Sequence, residues 1–369
     1  MRVLIAGGGT AGHVFPALAL ARRLADEHRV EVRFAGTATG QEARLVPDAG
    51  FPFEAVEARP LKRELSLDAV TAPVAAIRSV SACRPLVERA DVVVGMGGYV
   101  SLPVGLAAVR AKRPLVIHEQ NAVPGLANRV LAHRARAVAL TFGEAAERMP
   151  RRARTVITGN PVREQVLAVE AGREALAKEA LVELDLEPGR RTVVVFGGSQ
   201  GALHVNAAAV DAIGRLRERG DLQVLILTGS AHERRISEAL ATASGVRARV
   251  RGFLDRMELA YAVADLVISR AGATTCAEVS VCGVPAVLVP YPHATGGHQD
   301  ANARALERAG AAVRLPDAAL SGEVLASLVL SLIGDPARLA SMREHMRSWS
   351  RPDAAEALAA VVLRAGGHR

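Results

Sequence analysis

At 369 residues the chain exceeds an ordinary single domain, and with half its residues apolar and 23% charged it can bury two cores. Aromatics are 3%, too few for a base-stacking platform, and the net charge of +8 comes from 43 Arg and 3 Lys that are scattered rather than blocked, so no nucleic-acid partner is expected. The three cysteines form no CxxC pair, the histidines lack metal-ligand spacing and no D-x-D ends a strand, so the expected chemistry is metal-independent. No uncharged apolar stretch reaches about 18 residues, so no membrane-spanning helix is expected.

The chain opens on RVLIAGGGTAGH, Arg2 to His13: an apolar strand-like run, then Gly7, Gly9 and Gly12 in the G-x-G-x-x-G spacing that lets a backbone approach phosphate at a helix start. A dinucleotide site also needs an acid for the ribose at the end of the second strand. That strand ends Ala35-Gly36-Thr37, which removes most of the support for a dehydrogenase. His13 stands where the next helix begins, a position for a general base because imidazole titrates near neutrality. Strand-like runs at 3–6, 30–35, 53–56, 92–94, 115–117 and 137–140 alternate with Ala/Leu/Arg segments, which predicts a parallel sheet covered on both faces. After the third run, Leu65, Leu67, Val70, Val74 and Ile77 recur at roughly helical spacing among Lys62, Arg63, Arg78 and Arg84. An interfacial membrane helix and a core-facing helix share that pattern.

GMGGYVSLP follows the fourth run; Gly97 and Gly98 present N–H groups there, and Tyr99 and Ser101 add hydroxyls. The fifth run ends His118-Glu119-Gln120-Asn121, four polar residues at the carboxyl end of a strand, where open α/β sheets bind ligands. His118 and Glu119 are therefore alternatives to His13 as the base. ITGNPVR, 157–163, breaks the periodicity and places the hinge, giving a first domain over 1–160 and a second over 164–348.

The pattern restarts at TVVVFGGSQGA, Thr192 to Ala202, with strands expected at 193–196, 224–227, 248–251, 266–268, 286–289 and 312–314. SRAGATTCAEVSVCGVP, Ser269 to Pro285, sets Gly272 and Thr274 before a helix carrying Glu278, a carboxylate suited to the two hydroxyls of a ribose or to simple pairing with the helix dipole. PYPHATGGHQDANA reads as a Gly-rich loop ending in Gln299, Asp300 and Asn302, side chains that match sugar hydroxyls. Pro352 opens a last Ala-rich helix, about 350–366, expected to pack back on the first domain. Two glycine-loop modules of this kind predict two Rossmann-like parallel-sheet domains facing each other across a cleft.

Taken together, GGGTAGHVFPALALA, GMGGYVSLP, HEQNAVPGLANR, GNPVR, GGSQGALHVN and SRAGATTCAEVSVCGVPAVLVPYPHATGGHQDANA closely resemble the MurG family, in order from residue 1 to about 315. The resemblance implies the GT-B fold and an inverting, metal-independent transfer of N-acetylglucosamine from UDP-N-acetylglucosamine. The acceptor it implies is the 4-hydroxyl of undecaprenyl-diphospho-N-acetylmuramoyl-pentapeptide, the product being the disaccharide lipid precursor of peptidoglycan. No cofactor is implied. The protein would work peripherally at the cytoplasmic face of the cell membrane, on an anionic lipid surface and beside other cell-wall synthesis proteins.

By position, the resemblance puts Thr10, Ala11 and Gly12 on the sugar side with His13 as base, Asn121 at the donor sugar, and Arg163 and Ser199 on the UDP diphosphate. Leu254 would meet uracil through its backbone. Ala273, Thr274, Thr275, Cys276, Ala277 and Glu278 would surround the nucleoside with Glu278 on the ribose, and Gln299 would hold the sugar hydroxyls. Gly9, Gly97, Gly98 and Tyr99 would face the acceptor's diphosphate. Two other readings use the same residues: a different UDP-sugar enzyme such as a 2-epimerase, and a nucleotide-binding membrane adaptor without turnover.

Overall fold

Short apolar runs pair in register to make two separate parallel sheets. The computed structural model describes residues 1–57, 78–198, 201–242 and 246–367. Contacts divide the chain into one unit of Met1–Arg163 with Pro352–Arg369 and another of Glu164–Arg351.

In the first unit the strands are β1 (Arg2–Ala6), β2 (Glu31–Gly36), β3 (Phe53–Ala55), β4 (Val92–Gly95), β5 (Leu115–Glu119), β6 (Ala137–Leu140) and β7 (Thr155–Ile157). They lie in the order β3-β2-β1-β4-β5-β6-β7. Successive side chains of a strand point to opposite faces, and both faces here are covered. Val3 and Ile5 of β1 join Leu20, Leu24 and Val94 in one core, while Leu4 and Ala6 join Val93, Val104 and Ile117 in the other. Burying each Val, Leu or Ile contributes about 1.5–3 kcal/mol, which explains why uninterrupted apolar runs are selected at these positions. The helix Ala354–Ala365 buries Leu358, Ala359 and Val362 in the first of these cores, so it covers the same face of the sheet as Leu20 and Leu24.

In the second unit β8 (Arg191–Phe196), β9 (Leu222–Leu227), β10 (Arg247–Arg251), β11 (Leu266–Ser269), β12 (Ala286–Leu288) and β13 (Ala312–Arg314) take the order β10-β9-β8-β11-β12-β13. On one face of it a large core forms from residues such as Val193, Ile213, Ile226, Ile268, Val287 and Leu332, while Val194, Leu225 and Val267 are buried on the other. In each sheet the winding reverses once, between β1 and β4 and between β8 and β11, and crevices at such reversals are where doubly wound sheets bind ligands. Register brings Ala6 beside Gly95 and Phe196 beside Ser269, so in both units the two glycine loops leave the sheet from adjacent strand ends.

Every predicted strand is present, with ends shifted by a residue or two, and β7 is an addition. Among the described residues no single helix is long and apolar enough to cross a membrane. Leu65, Leu67, Val70, Val74 and Ile77 lie outside the described residues.

Candidate active site

The two glycine loops of the first unit are packed against each other. Gly9, Gly97 and Gly98 have φ of 91°, 93° and 76°, values that side chains with a Cβ rarely adopt. A Cβ on Gly98 would lie 2.8 Å from the Gly8 carbonyl oxygen, and one on Gly9 3.2 Å from the Tyr99 ring. Ser101 Oγ bridges the loops from beneath, 2.9 Å from the Ala6 carbonyl and 2.7 Å from that of Gly97. His13 is half-buried at the start of the helix Ala11–Asp26. Its Nδ1 lies 3.1 Å from Thr10 Oγ1, and its Nε2 edge faces the second loop, 3.2 Å from where a Cβ on Gly97 would stand.

The polar end of β5 is arranged differently from its sequence reading. His118 is fully buried, and its Nε2–H donates to the Gly159 carbonyl at 3.0 Å. Burial, aided by the nearby charge of His13 and opposed by that hydrogen bond, pushes His118 down to about 4, so it stays neutral. Glu119 is also buried, and both its oxygens are engaged. Oε1 accepts from the Asn121 N–H at 2.9 Å, while Oε2 accepts from the Gly125 N–H at 2.9 Å and from Asn128 Nδ2 at 2.8 Å. Burial lifts its carboxyl above the ordinary range although these bonds pull the other way. Both side chains are committed in this fold, Glu119 to the 119–128 turn that carries Asn121 and His118 to the Gly159 carbonyl.

His118 Nδ1, Gln120 Nε2, Thr141 Oγ1 and both amide atoms of Asn160 are buried without a hydrogen-bond partner among the described residues. These residues cluster just past the ends of β5, β6 and β7. The Arg163 guanidinium lies over the Phe15 ring, 4.6 Å from its centroid.

In the second unit Gly272 precedes the helix Ala273–Val281, whose first turns carry Thr274, Thr275 and Glu278. Ala273, Cys276, Ala277 and Glu278 are buried, while Thr274, Thr275 and Leu254 are half-exposed. The buried Tyr261 hydroxyl donates to Glu278 Oε2 at 2.8 Å. Burial raises the Cys276 thiol to about 12, so it packs as a small apolar group rather than acting as a nucleophile. Ser199 lies outside the described residues.

The Gly9 N–H donates to Glu42 Oε2 at 2.8 Å. Gln299, Asp300 and Asn302 lie on the helix His298–Arg308, not in a loop. Of these, Asp300 is tied to Arg304 and Arg314 at 2.8 and 2.6 Å, and the buried Asn302 donates to the Ala271 carbonyl at 3.1 Å. Gln299 Oε1 accepts from the Tyr291 N–H at 2.9 Å, fixing the side chain beside the Gly-rich turn.

Glu42, Asn128 and Tyr261 were not singled out by sequence. Asn128 at least falls within HEQNAVPGLANR, and Glu42 follows two glycines, Gly36 and Gly40, that leave room for it.

The glycosyltransferase family 28 N-terminal domain matches residues 3–140, and the family 28 C-terminal domain matches residues 192–358. The chain is 43% identical, over 100% of its length and 99% of the relative's, to the UDP-N-acetylglucosamine–N-acetylmuramyl-(pentapeptide) pyrophosphoryl-undecaprenol N-acetylglucosamine transferase of Syntrophotalea carbinolica. It is 41% identical, over 98% of each chain, to the protein of that name from Halothermothrix orenii. Among solved structures, Acinetobacter baumannii MurG is similar with a TM-score of 0.80 and 30% identity, over 98% of this chain and 99% of that one. A UDP-GlcNAc 2-epimerase from Neisseria meningitidis, 14% identical with a TM-score of 0.68 over 99% of this chain and 100% of that one, shares the fold alone. Both parallel-sheet units are those of GT-B glycosyltransferases, and the chain belongs to the MurG family.

Proposed function

We propose that this protein transfers N-acetylglucosamine from UDP-N-acetylglucosamine to the 4-hydroxyl of undecaprenyl-diphospho-N-acetylmuramoyl-pentapeptide. The observation that carries this reading is identity of about two residues in five to transferases so named, running the length of both units. The 2-epimerase likeness is one of fold only.

The second unit holds the donor. Glu278, oriented by Tyr261, accepts the ribose hydroxyls, the start of the helix Ala273–Val281 turns its free N–H groups toward the nucleotide, Leu254 meets uracil through its backbone, and Gln299 takes the sugar hydroxyls. The first unit holds the acceptor and the base. His13 is the base we favour, because it alone of the three candidates is partly exposed and stands on a glycine loop. It takes the proton from the acceptor's 4-hydroxyl as that oxygen attacks the anomeric carbon from the face opposite UDP, inverting α to β. UDP leaves with its charge held by helix N–H groups, Arg163 and the loop that carries Ser199. Asn121, fixed by Glu119, reaches the donor sugar. Gly97, Gly98 and Tyr99, with the start of the helix Ala11–Asp26, meet the acceptor's diphosphate.

Because the acceptor's lipid stays in the bilayer, the protein works at the cytoplasmic face of the membrane. The apolar series from Leu65 to Ile77 with its flanking Lys62, Arg63, Arg78 and Arg84 suits docking on anionic lipid. Replacing Leu65 and Leu67 by Ser weakens binding to anionic vesicles and spares the donor's KM; unchanged vesicle binding excludes that segment.

The deciding experiment is transfer of labelled N-acetylglucosamine from its UDP donor to a short-chain lipid-linked muramoyl-pentapeptide, with EDTA present. A β-linked disaccharide product supports donor, acceptor, stereochemistry and metal independence together. A folded protein that binds the donor and forms no product overturns the reading.

A further inference from the structure

In a dinucleotide-binding sheet the first glycine loop turns its N–H groups toward a pyrophosphate. Here it turns one toward a carboxylate of its own chain. Glu42, at the start of the helix Glu42–Asp48, is 1% exposed. Its Oε2 accepts from the Gly9 N–H at 2.8 Å, and its Oε1 accepts from the N–H and hydroxyl of Thr37 at 2.9 and 2.8 Å. Three glycines make room for it, since a Cβ on Gly8, Gly36 or Gly40 would strike the carboxylate group or the side chain that bears it. Burial works against the charge, but the N–H bonds of Thr37, Gly9 and Glu42 itself, with the Thr37 hydroxyl, together outweigh it and hold the carboxyl below its ordinary range, so the group is an anion in the folded protein.

The loop that Glu42 grips runs directly into the catalytic segment. Gly9 precedes Thr10, whose Oγ1 lies 3.1 Å from His13 Nδ1, and the His13 ring in turn lies against Gly97 of the second loop. We propose that Glu42 is a positioning residue of the transfer site: its carboxylate is the resident anion of the first glycine loop, setting the backbone that presents Thr10 and His13 and denying that seat to phosphate. The acceptor's diphosphate is consequently left to the second loop and the helix start. The proposal rests on the reading of His13 as base for its effect on rate, and not for the anion seat itself.

The test compares Glu42→Gln and Glu42→Asp in the full chain. Gln keeps the size but loses the charge and sets an amide donor against N–H donors; Asp keeps the charge. Glu42→Gln is expected to lower kcat on the order of 10²-fold, as for a slightly misplaced reactant, while the donor's KM, read in the other unit, stays within about twofold. Glu42→Asp recovers part of that loss. A folded Glu42→Gln chain with parental kcat, or a Glu42→Asp chain no faster than Glu42→Gln, overturns the proposal. Should Glu42→Gln fail to fold, Glu42→Asp alone decides, parental kcat overturning it.

The seat is tested separately by titrating inorganic pyrophosphate into Glu42→Ala with the donor site saturated by UDP. A pyrophosphate site that the parent lacks supports the resident-anion role, and its absence overturns it. A His13→Gln chain that keeps its kcat while Glu42→Gln loses it removes the base assignment and leaves the seat standing.

Discussion

The Tyr261 hydroxyl donates to Glu278 Oε2 at 2.8 Å inside the second unit, so the carboxylate assigned to the ribose is held by a phenol that solvent does not reach. A hydrogen bond to a charged group contributes about 1.5–3 kcal/mol, enough to decide which rotamer Glu278 keeps. Tyr261→Phe removes the bond and leaves the ring packed against Phe196. The expected result is a donor KM raised about tenfold with kcat near parental, and a smaller preference for the ribose donor over its 2′-deoxy analogue. Steady-state kinetics with both donors checks this; an unchanged ratio of the two removes Tyr261 from nucleoside recognition.

His118 makes stability depend on pH in a defined window. Burial lowers it from its ordinary 6.5 to about 4, so between those values the unfolded chain binds a proton that the folded chain does not. Its contribution is complete above pH 6.5 and is lost as pH falls toward 4, amounting to about 3 kcal/mol at the bottom of the window. Urea unfolding at successive pH values should show His118→Gln losing less stability than the parent across this window, the difference in slope corresponding to about one proton. Parallel losses in the two chains would mean that the imidazole is not buried neutral.

Arg173 ties the helix Ala273–Val281 to its neighbour. It donates to the carbonyls of Tyr261 at 3.1 Å and Ala262 at 3.3 Å, and also to that of Cys282. Those carbonyls lie at the carboxyl ends of the helices Met257–Val263 and Ala273–Val281, where a cation is favoured by the helix dipole and where carbonyls lack intrahelical partners. Arg173→Met keeps much of the apolar stem and loses all of these bonds, a cost of about 3 kcal/mol. Melting of the second unit should fall by roughly 5–10 °C, and UDP added at saturation should raise it again by mass action. A calorimetric scan with and without UDP measures both.

Much of the fold was legible because β/α alternation and continuous apolar runs are local signals. β7 was not, since Thr155, Val156 and Ile157 are exposed at the sheet edge and show no alternation of burial. The glycine loops were found through their spacing, but which of their N–H groups remain available depends on Glu42, 33 residues from Gly9, and spacing carries no record of that bond. His118 and Glu119 looked like bases because they are polar at a strand end. Their burial and their bonds to the Gly159 carbonyl and to the 121–128 turn are tertiary facts. Asp300 likewise looked available for sugar, and only the fold brings Arg314 within 2.6 Å of it.

The choice between His13 and Glu119 comes down to the pH dependence of kcat/KM. A base must be deprotonated in the free enzyme, so its titration sets the acid limb of the profile, and removing it costs about 10²–10⁴ in rate together with that limb. Glu119 has both oxygens committed to the Asn121 and Gly125 N–H groups and to Asn128 Nδ2, so Glu119→Gln disturbs the turn that presents Asn121 without removing a proton acceptor from the reaction. Glu119→Gln is therefore expected to lower kcat/KM while keeping the acid limb at the parental pH, and His13→Gln to lower it and flatten that limb. An acid limb that vanishes with Glu119→Gln and survives in His13→Gln would transfer the role of base to Glu119, and would require its carboxylate to leave the turn during turnover.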